Sequence, residues 1–252
     1  MNNKKSPFRR LIGSKLRQIY SGILFQSILR FRSRPLAVSE KSAMVFAPHQ
    51  DDETIACGGT IALKCAREIP VQVVFLTDGR IGRPDWIKDE DIIDYRQQEA
   101  IKALEILGVA PASIRFLKRS DGTLMQLSDT SRQQLITELA QMIQAFRPAE
   151  VYVPHKHDRH LDHEATYNLV QAAIAVSGVQ VELFQYPVWI LWQSPMNSNL
   201  KLTEISGSHR VFIGEAHERK NRAIAVYKSQ INSLPQGFLN RFRSNYEIFI
   251  KT

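Results

Sequence analysis

Two short polar segments hold most of the side chains in this sequence that could bind a metal and move protons. One is His49-Gln50-Asp51-Asp52-Glu53, and the other runs from Pro154-His155 to His160-Leu161-Asp162-His163. Together they contain five of the seven histidines: His49, His155, His157, His160 and His163. Imidazole with carboxylate is the ligand set suited to zinc or another borderline divalent cation, and a catalytic zinc typically takes three protein ligands and leaves one position for water. Hydrolysis is the chemistry such a set offers. A bound Zn²⁺ can lower the pKa of water to ~7, a nearby carboxylate can take the proton, and an imidazole can pass one to a leaving amine. Adjacent Asp51 and Asp52 can divide that labour, because consecutive loop side chains point in different directions.

Both segments follow apolar runs that read as strands. Ala43–Ala47 precedes the first, and Glu150–Val153 precedes the second. Between and after them, apolar runs at Val71–Leu76, Ser113–Leu117 and Val179–Trp189 read as further strands, the last as a pair or one long strand. Helical periodicity covers Ile92–Leu107 (closed by Gly108), Ser128–Phe146 (capped by Asp129 or Thr130) and His163–Val176, and a further helix is expected to open near Gly58-Gly59. Strands alternating with helices predict an α/β fold, a mostly parallel sheet sandwiched by helices in a Rossmann-like arrangement. Ligands in such sheets bind beyond the carboxyl ends of the strands, where both polar segments lie. Either segment alone could be a solvated loop, but two of them in equivalent positions point to one shared site.

His-Gln-Asp-Asp-Glu resembles the His-Pro-Asp-Asp-Glu motif of the PIG-L/LmbE-like de-N-acetylases, with Gln50 where proline is usual, and His160-Leu161-Asp162-His163 resembles that family's His-x-Asp-His motif. Gly58-Gly59-Thr60, Thr77-Asp78-Gly79, Arg96-x-x-Glu99 and Tyr227-Lys228-Ser229-Gln230 extend the likeness over roughly residues 43–230. The resemblance implies a metal-dependent hydrolase that removes the acetyl group from an N-acetylglucosamine-containing conjugate by means of a metal-bound water. His49, Asp52 and His163 would hold the metal, Asp51 would be the general base, and His160 would stabilise the tetrahedral intermediate or protonate the amine. Glu53 would orient a ligand or the following helix. Arg96, Asp121 and Asp162 are further candidates for support or substrate contact. The implied metal is Zn²⁺, with Fe²⁺ accepted by the same ligand types. The implied substrate is a small-molecule or lipid-linked amino sugar. A metal-dependent amidase acting on a non-sugar amide and an inactive sugar- or metal-binding module are the competing readings. Intact Asp51 and His160 speak against the module.

The net charge of +8 suggests nucleic acid until it is located. Residues 1–41 carry ten positive side chains against the single acid Glu40, a net of +9, which leaves −1 for the rest of the chain. A nucleic-acid-binding fold would spread its basic face over the domain itself, so no nucleic-acid partner is expected. The chain divides into a leader and linker, 1–42, and a deacetylase-like domain, 43–252. In the leader, Phe8, Leu11, Ile12, Leu16, Ile19, Tyr20, Ile23 and Leu24 recur at helical spacing among basic residues, a basic amphipathic helix. Its longest uncharged run, Gln18–Leu29, has 12 residues, short of the ~20 that a membrane span needs. No small-residue cleavage site precedes Arg30. Two uses remain for it: contact with an anionic membrane surface through residues 1–34, or packing on the domain or a partner. Pro35 and Ser39–Ser42 read as linker.

Cys57 and Cys65, eight apart in one helix, would lie about 12 Å apart, too far for a disulfide. They read as packing thiols in a reducing, cytoplasmic setting. Trp86, Trp189 and Trp192 read first as packing residues, and His155, His157, Asp158, His209 and His217 are unassigned.

Overall fold

A computed structural model describes residues 7–194 and 200–251. The basic residues Lys4 and Lys5 of the leader lie outside the described residues. The chain opens with α1 (Pro7–Ser27), continues through a π-helical turn (Ile28–Arg32), and enters the sheet with β1 (Arg34–Leu36) and β2 (Ala43–Ala47). There follow α2 (Asp52–Ala66), β3 (Val71–Thr77), α3 (Ile92–Leu107), β4 (Ile114–Arg119), α4 (Asp129–Phe146), β5 (Glu150–Pro154), α5 (Leu161–Ser177) and β6 (Glu182–Tyr186). The chain ends with β7 (Ser208–Phe212), α6 (His217–Ile224), α7 (Lys228–Ile231) and β8 (Tyr246–Lys251). The eight strands form one sheet in the order β1-β7-β8-β6-β5-β2-β3-β4. Every pairing is parallel except the two made by β8, which runs antiparallel to β6 and β7.

Strand alternation explains the two-sided core. On β2, Ala43, Val45 and Ala47 face a layer containing Ile55 and Ile61 of α2, Leu104 of α3 and Ile224 of α6. Met44 and Phe46 face the opposite layer, with Leu135 and Leu139 of α4 and Leu169 and Val170 of α5. Because both faces are covered, the strand reads as a continuous apolar run with no polar alternation. A third cluster joins Phe25, Ile28 and Leu29 of the leader to Ile190, Leu191, Ile205 and Ile248. The leader therefore packs on the domain along one face.

The structure corrects several element boundaries. The first domain helix opens at Asp52, more than a full turn before Gly58-Gly59, and those glycines serve close packing inside it. A Cβ on Gly59 would lie 2.5–2.7 Å from side-chain atoms of Ile213. The Gly59 and Thr60 amides reach the buried Glu247 carboxylate of β8 at 2.6 and 2.9 Å, which Lys220 also pairs at 2.8 Å. Ser128 is the cap of α4, its hydroxyl accepting from the Ser131 amide at 3.2 Å, in place of Asp129 or Thr130. The expected Val179–Trp189 strand shrinks to Glu182–Tyr186, because the Val188, Trp189 and Ile190 amides all turn to the Asp158 carboxylate at 2.9–3.1 Å. Arg34–Leu36, which composition assigns to the leader and linker, is an edge strand paired with β7. Strands β7 and β8 add two members to the sheet that the apolar runs do not announce.

Gly59→Ala is expected to destabilise the fold by about 1–3 kcal/mol through overpacking. Gly22→Ala, with nothing within 4 Å of the added carbon, should be neutral or slightly stabilising. Urea denaturation of both variants checks the contrast, and equal midpoints would contradict this account of Gly59.

Candidate active site and metal centre

The site forms where the β2 and β5 strands end. The β2 loop is tied to β3: Pro48 carbonyl accepts from the Thr77 amide at 3.1 Å and hydroxyl at 2.7 Å, and Gln50 Nε2 donates to the Thr77 carbonyl at 2.9 Å. Gly79 sits in the left-handed region (φ 67°), and a Cβ there would collide with the Gln50 amide oxygen. The position that departs from the family motif is thus occupied by a buried amide that braces the neighbouring strand end.

His49, Asp52 and His163 come together around one oxygen. Asp52 Oδ2 is 3.2 Å from His49 Nδ1 and 3.3 Å from His163 Nε2, and it also accepts from the His49 amide at 3.2 Å. His49 Nε2 faces Asp121 Oδ1 at 3.1 Å and Asp162 Oδ2 at 3.3 Å. The His160 ring stands edge-on to His49, with centroids 4.9 Å apart, and 4.8 Å from His163. Two ligand groupings whose donor atoms all lie within 4.8 Å are His49/His160/His163 and His49/Asp121/Asp162.

The electrostatics of this cluster follow from burial and crowding. His163 is fully buried. Burial alone would lower its pKa, but the Asp52 and Asp158 carboxylates overcome that and carry it up to about 9. Burial opposes the charged form of His49 as well, yet hydrogen bonds to Asp121, Asp162 and Asp52 raise it well above the usual imidazole value. Asp52 moves the other way: burial opposes ionisation, but His163 and His49 hold it well below the usual carboxylate range. Burial and the Asp52 charge push Asp51 well above that range. His160 drops to about 4, through burial and then the charges of His163 and His49. Two neighbouring aspartates with oppositely shifted acidities are the arrangement expected where one holds a cation and the other handles protons.

The donor chemistry fits a divalent cation. Both ring nitrogens of His163 are buried and close to carboxylate oxygens, Asp158 Oδ2 at 2.8 Å and Asp52 Oδ2 at 3.3 Å. Neither meets its neighbour in proper hydrogen-bond geometry. Two carboxylates facing the two ring nitrogens favour positive charge there, which a second proton supplies in the metal-free protein and a bound cation can replace. An imidazole backed by a carboxylate is also how metal-ligating histidines are usually oriented.

Asp158, unassigned in the sequence, is therefore part of the site's support, as its position five residues before His163 in the same polar segment could have suggested. Asp162 is held by the Gly122 and Leu124 amides at 2.7 and 3.1 Å, and Asp121 by the Ile81 amide at 2.9 Å. Glu53 points away from the pocket: its carboxylate accepts from the Asp51 amide at 3.2 Å and from the Tyr227 and Thr54 hydroxyls, and burial raises it to about 7. Arg96 donates to the carbonyls of Gly79, Ile81 (2.8 Å) and Gly82 (3.1 Å), so it shapes the loop after β3. The Tyr227–Gln230 block is wired to the site: Tyr227 to Glu53, the Ser229 amide and hydroxyl to Glu99 at 2.9 and 2.6 Å, and Gln230 to the Gln50 carbonyl.

The remaining candidates separate cleanly. His155 bonds the Glu204 carbonyl at 2.8 Å and His217 the Arg243 carbonyl at 2.7 Å, both as structural contacts. His157 lies 3.3 Å from Glu204, and His209 belongs to β7. Cys57 and Cys65 are free thiols, and burial pushes Cys57 up, which disfavours it as a nucleophile. Trp86 packs edge-on to Tyr95, and Trp192 packs against Phe238. Trp189 alone of the three tryptophans lines the pocket at this site, a cavity of about 160 Å³ that it shares with Asp51, His160, Arg96, Val188 and Phe238. Its ring lies 6.3 Å from His160.

Known proteins resemble this chain in sequence and in fold. A probable N-acetyl-alpha-D-glucosaminyl L-malate deacetylase 2 of Bacillus anthracis is 28% identical over 141 residues, which cover 54% of this chain and 61% of that protein. A 1D-myo-inositol 2-acetamido-2-deoxy-alpha-D-glucopyranoside deacetylase of Mycobacterium leprae is 31% identical over 167 residues, 58% of this chain and 54% of the relative. The chain thus spans little more than half the length of these two curated relatives. The crystal structure of the conserved protein TT1542 from Thermus thermophilus superposes with a TM-score of 0.65 and 26% identity, covering 83% of this chain and 94% of that one. Residues 44–174, just over half of the chain, match the family model described as GlcNAc-PI de-N-acetylase, and the protein belongs to this PIG-L family.

Proposed function

We propose that the protein is a metal-dependent hydrolase, with zinc the preferred ion and iron(II) the alternative, that removes the acetyl group from an N-acetylglucosamine-containing conjugate. The observation that carries this reading is the single carboxylate oxygen of Asp52 set between His49 Nδ1 and His163 Nε2, with His163 left without a hydrogen bond. His49, Asp52 and His163 would hold the ion. When bound, it would supply the positive charge that acidifies water and polarises an acetamide carbonyl.

The chain's own residues supply the rest. Asp51 lines the pocket, and burial beside the Asp52 charge raises its pKa above the usual carboxylate value, which strengthens it as the base that takes a proton from the attacking water. His160, also in the pocket, is uncharged at neutral pH and is placed to donate its N–H to the developing oxyanion, while the proton that Asp51 takes from the water can pass to the amine. Asp158 and Asp162 act through the histidines, holding His163 and His49 in place. A cavity of about 160 Å³ has room for roughly five waters at ~30 Å³ each, which suits an acetamido group and part of a ring. Trp189, Val188 and Phe238 offer an apolar wall for the sugar.

The relatives named above are described as acting on N-acetylglucosaminyl-malate and N-acetylglucosaminyl-inositol compounds, which supports a small amino-sugar conjugate here. The free thiols support a cytoplasmic setting. The proposed setting includes peripheral membrane contact through the leader, and no described helix is long and apolar enough to cross a bilayer.

Purified protein should release acetate from N-acetylglucosaminides, lose that activity to a chelator, and regain it with Zn²⁺. Asp51→Asn should lower kcat by about 10²–10⁴-fold with an unchanged melting temperature. Acetate release that survives chelation, or full activity in Asp51→Asn, would overturn the mechanism, and turnover confined to non-sugar amides would shift the substrate class.

Metal uptake should also release protons. Without metal, the folded pKa of His163 stands at about 9, above an unfolded value of ~6.5. The stability it contributes is fully present below the unfolded value and is lost as pH rises through about 9. A ligating imidazole must give up that proton. Apparent metal affinity should therefore climb as pH rises toward about 9 and flatten above. Calorimetry in buffers of differing ionisation heat reads the released protons directly. Binding at neutral pH with no proton release would contradict the ligand role of His163.

A further inference from the structure

The leader has two apolar faces, and the domain uses only one of them. At about 100° per residue, Ser21 and Phe25 fall on the inward face and are buried. Leu16, Ile19 and Ile23 fall on the opposite face and are 44%, 60% and 62% exposed, and Phe31 just beyond is 81% exposed. Around them Lys15, Arg17, Arg30, Arg32 and Arg34 line the surface, and among the described residues none of the five makes an ion pair. A charged rim around a bare apolar stripe is the pattern of a helix lying in a lipid interface.

A second observation lies along one flank of the helix. A groove of about 870 Å³ runs between the leader and the 237–244 segment, lined by Ile19, Ile23, Phe31, Trp192 and Arg241 among others. Trp192 and Arg241 are only 8% and 6% exposed. The outer nitrogens of Arg241 donate to the Phe238 and Val188 carbonyls. That leaves one buried N–H on each residue, Nε1 of Trp192 and Nε of Arg241, with no hydrogen-bond partner. The Arg241 guanidinium is not paired with any described carboxylate, and its Cζ lies 5.5 Å from the Trp192 ring and 4.3 Å from that of Phe238. Both nitrogens are shielded from solvent, and the guanidinium is stacked on the Trp192, Phe238 and Phe242 rings. The open charge in the groove is Arg30, exposed and without an ion pair among the described residues, which calls for a group rich in anionic oxygens, and the apolar side of the same groove calls for a hydrocarbon chain.

We propose that this groove takes the phosphate and the proximal acyl chain of an anionic phospholipid, and that the bare face of the leader docks the protein on an anionic bilayer. The phosphate pairs with the exposed Arg30 at the edge of the groove, while the chain lies along Ile19, Ile23 and Phe31 and reaches Trp192. A second copy of the chain fits the surface worse, since it would bring one leader of charge +9 against another. The inference rests on the leader and the groove alone and does not depend on the deacetylase reading.

Full-length protein is mixed with vesicles of phosphatidylcholine alone or of phosphatidylcholine with phosphatidylglycerol. Sedimentation should be at least about tenfold stronger with the anionic vesicles and should weaken as salt is raised. Brominated acyl chains should quench tryptophan emission, and Trp192→Phe should remove most of that quench. The double variant Ile19→Asp, Ile23→Asp changes only exposed positions, so it should keep its melting temperature and lose vesicle binding. Equal or absent binding to the two vesicle types would overturn the docking, and a quench unchanged in Trp192→Phe would overturn occupancy of the groove. A concentration-dependent dimer abolished by the double variant would name a second copy as the occupant and sink the proposal. No readout depends on hydrolysis, so a failed acetate assay leaves this test intact.

Discussion

The carboxylates packed into the site set the terms for everything around them. Asp51, Asp52, Asp121, Asp158 and Asp162 are all buried within one cluster, where an uncompensated charge costs several kcal/mol. The fold compensates four of them with histidine rings and backbone amides drawn from distant loops. Asp162 gathers the amides of Gly122 and Leu124, Asp121 that of Ile81, and Asp158 those of Val188, Trp189 and Ile190. The loops after β3, β4 and β6 are therefore folded onto the site by the need to satisfy charge, and the pocket walls are a by-product of that satisfaction.

This explains why side chains that never touch substrate are wired so tightly. Asp158 bridges His163 and the turn that carries Trp189, so the orientation of an imidazole and the position of the apolar wall are one structural variable. Glu53, Tyr227, Glu99 and Gln230 perform the same service on the opposite side, tying the start of α2 to the short helix α7. A substitution in this layer would act on the pocket through geometry, and at Glu53 also through charge, since its carboxylate helps to raise Asp51.

How much of this is readable in the sequence depends on whether the signal is local. The strand ends and the two polar segments are legible because burial on both faces leaves continuous apolar runs, and the His/Asp spacing stands out against them. The Asp52-to-His163 meeting is legible only through topology, since β2 and β5 are neighbours in a parallel sheet and deliver their loops to the same end. Asp158 escapes notice because a lone aspartate in a polar loop looks solvated, and its three amide partners lie 30 or more residues away. The same holds for Gly59, whose requirement comes from Ile213 on a distant turn. Strand β8 is hidden because it inserts antiparallel between β7 and β6, where no alternation of strand and crossover helix announces it. The leader is half legible: its periodicity shows a helix, but only the fold shows that one apolar stripe is packed and the other bare.

The short strand β1 gives the leader an architectural part that its charge conceals. Arg34–Leu36 covers the backbone of β7 along the outermost edge of the sheet. Shortened versions of the protein that begin at the domain core would strip this cover and leave a ladder of unpaired amides and carbonyls, the template on which chains stack edge to edge. Cutting before Arg34 would keep the sheet sealed while removing the helix. The boundary that separates the packed helix from the edge guard therefore lies between Ser33 and Arg34, well inside the leader as its composition draws it.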